Sequence, residues 1–440
     1  MTSRDIHHSF ENIALTSIRG ILSLWVVGFH WFLNIDNQAL TTVFGEAYLS
    51  VDFFFILSGL ILCDVYKRDT LFRHPVRFYM KRFIRVWPVH LVAMVLLTLI
   101  VIYPSFEFQF DWDYVFSLLF FQSFLKLSNV VNPPAWSISV EWICYFLFPT
   151  LLLMMVKWFD RQWFRLLCLL LAPFLLYWVD LHFGTDIEGL NAVLRALAAF
   201  IFGMVISMYS RRLTLSQGFS NSLCALGLTL IFILLACQNW SQRHPAPAFV
   251  SNLSVQEEEI VNMVSNQRDH RLIARAMDDS GVSVERLSLL IQAPEIEVQS
   301  LYNNINPSGR FYRPLILIRL KNAITTFKAS AWIPLIGGLV FLGVFAQNSV
   351  LAYVLSGAFF HYLGKISYSV YLLHFPVLLF FEKIGFFSSH QAANVDLVFT
   401  SKVLVMLLTL LILASLSFYL VETPARYWGS KLLRNQSSAS

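Results

Sequence analysis

The sequence predicts an all-α integral membrane protein of about ten transmembrane helices, and three observations predict it. Of 440 residues, 57% are hydrophobic and only 13% are charged, whereas a soluble domain carries about 25% charged residues. Apolar runs of about 16–22 residues recur along the chain, close to the ~20 residues that a helix needs to cross a hydrocarbon core roughly 30 Å thick. Lysine and arginine gather in alternate connections between those runs, the asymmetry that sets orientation across a membrane.

In order, the runs fall near residues 18–35, 48–66, 83–103, 136–156, 163–181, 191–209, 218–238, 332–347, 363–385 and 400–421. A shorter run, DYVFSLLFFQSFL at 113–125, is too short to cross and reads as an interfacial or re-entrant helix. The connection at 67–85 holds Lys67, Arg68, Arg73, Arg77, Lys81, Arg82 and Arg85. Other basic connections hold Lys157, Arg161 and Arg165, then Arg211 and Arg212, then Lys431 and Arg434. The connections at 36–47 and 182–190 contain Asp36, Glu46, Asp186 and Glu188 but no lysine or arginine. Ten spans with both termini in the cytoplasm put every basic connection inside, whereas counting 113–125 as a span would put the later ones outside. The polar opening MTSRDIHHSFEN, with no small-residue cleavage pattern after the first run, predicts that the first span is retained.

The chain thus divides into a first membrane portion at 1–240, a polar insert at 241–330, a second membrane portion at 331–428 and a cytoplasmic tail at 429–440. Periodicity in EEEIVNMV and VERLSLLI predicts that the insert is small and helical. Its stretch ARAMDDSGVSVERLSLLIQAPEIEVQSLYNNI resembles a helix-turn-helix. The charge pattern places that stretch on the outer side, so no nucleic-acid partner is expected. Cys63, Cys144, Cys168, Cys224 and Cys237 lie scattered in or beside apolar runs, which favours packing over a disulfide framework or a metal site.

Ionisable side chains inside a span cost several kcal/mol unless paired or hydrated, so each one is a functional candidate. In SIRGILSLWVVGFHW, Arg19 and His30 lie eleven positions apart. That spacing puts them about 20° apart in azimuth and about 16 Å apart in height, with His30 near the midplane. Glu141 follows Pro133 and Pro134, a suitable helix start, and lies about 10 Å in from the outer side. His374, in ISYSVYLLHFP, reaches about 16 Å from the inner side. A histidine, a carboxylate and a second histidine therefore reach similar depths on three helices. The plainer alternatives are interhelical hydrogen bonds for the histidines and an ion pair between Glu141 and Arg195. In KRFIRVWP, Arg82 and Arg85 are three apart, on one helical face at the mouth of the third span. Two guanidinium forks there suit a phosphate or pyrophosphate; ordinary positive-inside anchoring is the alternative.

These pieces, in chain order, resemble the membrane-bound acyltransferase family three, whose members O-acylate glycans and other extracytoplasmic acceptors. They are R-x10-H at Arg19 and His30, VDFFFILSGLIL at 51–62, R-x-x-R at Arg82 and Arg85, PPAWSISVEWICYFLFP at 133–149, LGKISYSVYLLHFPV at 363–377, and VETPARYW at 421–428. The resemblance implies about ten helices and a cytosolic acyl-CoA donor, commonly acetyl-CoA. It makes His30 the catalytic histidine, makes Glu141 a second catalytic candidate at a further motif position, and gives Arg19, Arg82 and Arg85 to the donor. Asp52, Ser58, Trp136, Ser137, Arg195, Ser367, Tyr371 and His374 occupy motif or intramembrane positions that suit acceptor binding or support. The polar insert departs from the family pattern.

The reaction this implies is acyl transfer through the membrane to a hydroxyl of a glycan or lipid-linked sugar, most simply in a bacterial inner membrane. His30 acts either as general base or as a transient acyl carrier, since neutral imidazole suits both near neutral pH. Glu141 or His374 orients the acceptor or His30, and Gly59 lets a helix approach closely. A proton-coupled transporter or flippase for a glycan or lipid is the competing class. It would use the same histidines and carboxylate as a relay but needs no coenzyme. A membrane sensor acting through the insert is a third.

Overall fold

The computed structural model describes residues 3–32, 35, 37–66, 75–102, 112–125, 132–183, 189–210, 215–243, 260, 329–346, 349–387 and 395–436. The elements named here are all helical: α1 (Ser3–Phe32), α2 (Gln38–Phe44), α3 (Ser50–Val65), α4 (Pro75–Ile102), α5 (Trp112–Leu118), α6 (Trp136–Trp158) and α7 (Gln162–Phe183). They continue with α8 (Gly189–Ser210), α9 (Gln217–Arg243), α10 (Ala329–Ala346), α11 (Val350–Leu355), α12 (Ala358–Lys383), α13 (Leu397–Ser417) and α14 (Thr423–Gln436). A π-helical turn, Phe418–Glu422, joins the last two. Residues 1–231 with 330–440 form one compact unit and 232–329 a second. The predicted insert at 241–330 falls almost wholly outside the described residues.

Nine of the described helices are long and apolar enough to cross a membrane, and α10 contributes a shorter apolar stretch, Trp332–Phe345. Helix directions decide whether α10 counts as a crossing. Thr16 and Gly20 of α1 meet Gly364 of α12, and His30 meets His374, with ring centroids 4.8 Å apart. Equal offsets on both helices mean that α1 and α12 run parallel. α4 and α12 are parallel too, because Tyr368 donates to the Val86 carbonyl and Lys383 to that of Ile100. If spans alternate in direction, parallel first and ninth helices require α10 to cross. The described helices therefore give nine candidate crossings and a shorter tenth, α10, against the expected number of about ten.

Boundaries differ from expectation where polar residues extend a helix beyond its apolar run. α1 is already helical at Ser3. α4 starts at Pro75, a favoured first helical residue, so Arg77, Lys81, Arg82 and Arg85 lie on a helix and not in a connection. α5 ends within seven residues, and the chain then turns at Phe120, a non-glycine residue with φ 66°. The 113–125 segment thus forms a short helix and turns, as its length required. His90 pins it to α4: its Nε2 meets the Ser117 carbonyl at 3.0 Å and its ring lies 4.7 Å from that of Phe120.

The unit is held by backbone-close helix pairs. A Cβ on Gly59 would lie 2.0 Å from the Phe200 carbonyl oxygen, and one on Gly203 would lie 1.9 Å from that of Ile56. Without a hydrophobic drive between helices in lipid, such close approach supplies the packing. Across the same α3–α8 seam, Arg195 donates Nε to Asp52 Oδ1 at 2.8 Å and Nη2 to Oδ2 at 2.5 Å, with both side chains buried. This is the partner of Arg195, so the Glu141–Arg195 pair considered from sequence is corrected. Removing one member leaves a buried charge, which typically costs about 3–5 kcal/mol. Asp52→Ala is accordingly expected to lower the unfolding temperature in detergent, whereas the double change Asp52→Leu with Arg195→Met should recover most of the loss. Additive losses in the double variant would contradict the pairing.

Candidate functional site

At the level where α1 and α12 meet, each histidine is anchored by its own helix. His30 Nδ1 faces the Val26 carbonyl at 3.1 Å, and His374 Nδ1 faces that of Tyr371 at 2.6 Å. A carbonyl only accepts, so in each neutral ring Nδ1 carries the hydrogen and Nε2 keeps its lone pair. His374 Nε2 is buried without a partner among the described residues. Two imidazoles therefore present unengaged acceptor nitrogens in one apolar setting. Trp31 fastens the level by donating Nε1 to the His374 carbonyl at 3.3 Å. Pro376 cannot donate to the Leu372 carbonyl four residues earlier, and Asn132 Nδ2 reaches that oxygen at 3.4 Å.

One turn before His374, Tyr371 joins α12 to the start of α6. Its hydroxyl donates to the Pro134 carbonyl at 2.8 Å and lies 2.8 Å from Ser137 Oγ. Tyr371, Ser137, Ser367, Tyr368, Ser58, Glu141 and Arg19 share the wall of a cavity of about 50 Å³. A second cavity of about 30 Å³ shares Arg19, Ser58, Glu141 and Tyr368 with it and adds Arg82, Arg85 and Tyr145. The two together make a narrow polar path from the arginines to Tyr371, one helical turn short of the histidine level.

Glu141 belongs to this path and not to the histidine pair. Its Oε1 accepts from Ser58 Oγ and from Tyr145 OH, both at 2.6 Å. It makes no hydrogen bond to His30 among the described residues. Depth estimates from helix starts placed the three groups at similar heights but carried no azimuth. The carboxylate instead faces the cations, and Arg19 and Arg82 both feel its charge.

The arginines differ in their surroundings. Arg82 donates Nη2 to Tyr66 OH at 3.1 Å, and its guanidinium lies 5.5 to 5.9 Å from the rings of Tyr66, Phe78 and Tyr145. Its Nε is buried without a partner among the described residues. No hydrogen bond or close ion pair engages Arg19 or Arg85 among the described residues. Guanidiniums with donors to spare, caged by aromatic rings and facing a narrow cavity, fit a phosphate-bearing ligand.

Other expected residues have defined packing or hydrogen-bond partners. Asp52 and Arg195 form the α3–α8 ion pair and line neither cavity. Trp136 packs edge-on against Phe55, with centroids 6.4 Å apart, and its carbonyl accepts from Ser123. Ser367 donates to the Gly364 carbonyl while lining the cavity. Sequence reading missed Tyr145 and Tyr368. Tyr145 was accessible, four residues after Glu141 on one helical face; Tyr368 adjoins Ser367 and gave no separate signal. A larger cavity of about 410 Å³, between α4, α12 and α13, is almost wholly apolar and separate from this chemistry.

Nine helices long and apolar enough to cross a membrane, with a shorter apolar tenth, describe an integral membrane protein. Residues 12–264 match the family model of the acyltransferase domain of acyltransferase family three. That is more than half of the chain, which therefore belongs to this family. The matched region holds the first four sequence motifs; the segments around His374 and Glu422 lie beyond it. A similar curated protein is acyltransferase MdmB of Streptomyces mycarofaciens, 31% identical over 150 residues covering 31% of this chain. The match spans 38% of that relative's length. No solved structure matches the chain.

Proposed function

We propose that this protein is an integral membrane O-acyltransferase. It moves an acyl group, most simply acetyl, from cytosolic acyl-CoA to a hydroxyl of an extracytoplasmic or lipid-linked glycan. The observation that supports this best is the polarity of the polar path: unpaired guanidiniums at one end, and a turn beyond its other end two imidazoles with open Nε2 atoms. Arg19, Arg82 and Arg85 hold the anionic part of the donor. Ser58, Glu141 and Tyr145 fix the wall between, and Tyr371 with Ser137 sets the turn below the histidines.

His30 Nε2 accepts the proton of the acceptor hydroxyl as its oxygen bonds to the acyl carbon. The carbon–sulfur bond breaks, and the departing thiolate takes a proton back. His374 Nε2 offers a second acceptor, which suits a neighbouring hydroxyl of the same acceptor molecule. The setting is a bacterial inner membrane with both termini in the cytoplasm, which puts the arginines on the side where acyl-CoA is made.

The purified protein in lipid nanodiscs should bind acetyl-CoA saturably, and cells carrying it should gain acetyl groups on surface glycans. Neither would occur if the protein were a transporter. Arg82→Lys keeps the charge but loses the planar fork. It is expected to raise the KM for acetyl-CoA by about tenfold, roughly one charge-assisted hydrogen bond, with kcat little changed. An unaltered KM would remove Arg82 from the donor site.

A further inference from the structure

The terminal segment VETPARYW has no role in the scheme above, yet its helix packs against the one that carries Arg82 and Arg85. α14 lies on α4, and the contact is tight: a Cβ on Gly429 would lie 2.4 Å from Ile84 Cδ1. One turn back from Gly429 stands Arg426, beside the helix that carries Arg82 and Arg85, and its charge is felt by both arginines and by Arg19. Arg426 Nη2 donates to Glu422 Oε1. Glu422 is fully buried, and its Oε2 accepts from Ser369 Oγ at 3.3 Å. The π-helical turn Phe418–Glu422 inserts an extra residue per turn at this point. Such turns interrupt regular helices frequently at functional sites.

Two features distinguish this from an ordinary surface ion pair. Arg426 Nε is buried and has no partner among the described residues, while its side chain as a whole is 39% exposed. One edge of the guanidinium is thus fixed by a buried carboxylate, and another donor points inward unused. Arg426 is also absent from the walls of both small cavities. With 39% of its side chain exposed, it lies outside them, on the helix that packs against the one carrying Arg82 and Arg85.

We propose that Arg426 is a fourth anion-binding arginine of the donor site, held in position by Glu422 on the π-helical turn, and that it takes the phosphate most remote from the thioester. For a coenzyme A donor this is the 3′-phosphate of the adenosine. The inference rests on the donor-site reading above. It adds a specificity: the site distinguishes coenzyme A from dephospho-coenzyme A, which keeps the pyrophosphate and lacks the 3′-phosphate. Glu422 is a positioning residue that neutralises one side of the guanidinium and leaves the other for the ligand.

The test is binding of coenzyme A and dephospho-coenzyme A to the full chain in nanodiscs, by calorimetry. Wild type should prefer coenzyme A by about 10–100-fold, the range of one or two hydrogen bonds to a charged group. Arg426→Ala combined with Glu422→Gln removes one positive and one negative charge, so the net charge is kept and no buried carboxylate is left alone. This double variant should lose the preference while binding dephospho-coenzyme A as wild type does. Glu422→Gln alone should lose part of it, and Arg426→Lys should retain part. Equal weakening toward both ligands, or an intact preference in the double variant, would overturn the assignment of Arg426. If wild type binds neither coenzyme, the donor-site reading itself fails. If Arg82→Ala weakens both ligands while the double variant changes nothing, that reading stands and only the inference about Arg426 falls.

Discussion

Replacing His30 by alanine is expected to cut acyl transfer by about 10²–10⁴-fold, the span that a positioned general base contributes. The protein should still insert and fold. His30 is partly exposed, its anchor among the described residues is the Val26 carbonyl of its own helix, and its ring contacts are with Phe29 and His374. The α1–α12 seam is carried elsewhere, by Gly20, Gly364 and the Trp31–His374 hydrogen bond. Donor binding should survive as well, since Arg19, Arg82 and Arg85 lie along a separate stretch of the path. The informative measurement therefore pairs transfer rate with acetyl-CoA affinity in one preparation. A folded His30→Ala protein that binds donor and transfers at the wild-type rate would exclude His30 as the base. His30→Gln tests the same point with a side chain that fills the volume but cannot take the proton.

The second large effect is on assembly. Gly203→Leu is expected to prevent folding, because even its Cβ would sit 1.9 Å from the Ile56 carbonyl oxygen and 2.9 Å from the Leu60 backbone nitrogen. Backbone cannot yield as a flexible side-chain end can. α3 and α8 would have to separate, and the Asp52–Arg195 pair one end of the seam depends on would open with them. That combines lost close packing with an exposed buried ion pair, several kcal/mol against a total stability of about 5–15 kcal/mol. Gly218→Leu is the control: no atom lies within 4 Å of its Cβ position, and the variant should yield normal amounts of monodisperse protein. Equal yields of the two variants would contradict the backbone contact.

Much of this was legible in the residues. Apolar runs and alternating basic connections gave the helix count, including the crossing made by the short α10, because length and charge act locally. Arg19 and His30 on one face, and Arg82 with Arg85 on another, followed from helical periodicity alone. What sequence could not supply was azimuth between helices. Glu141 shared the depth of the histidines, yet it faces Ser58, Tyr145 and the cations. Arg195 offered two carboxylates as partners, and only the register of α3 on α8 selects Asp52. Arg426 was quoted within a motif without a role, since its meeting with α4 depends on a π-helical turn that no composition signals.

The pairing of α1 with α12 has a consequence in time. Trp31 and His374 are hydrogen-bonded across 343 residues, and a ribosome adding about 5–20 residues per second needs roughly 20–70 s to span that gap. During that interval α1 has been delivered to the bilayer with Arg19 and His30 on a face whose partner has not yet been made. The histidine pair is thus a late product of biogenesis: a chain halted before α12 carries both residues of the α3–α8 clasp, but its two imidazoles have not met.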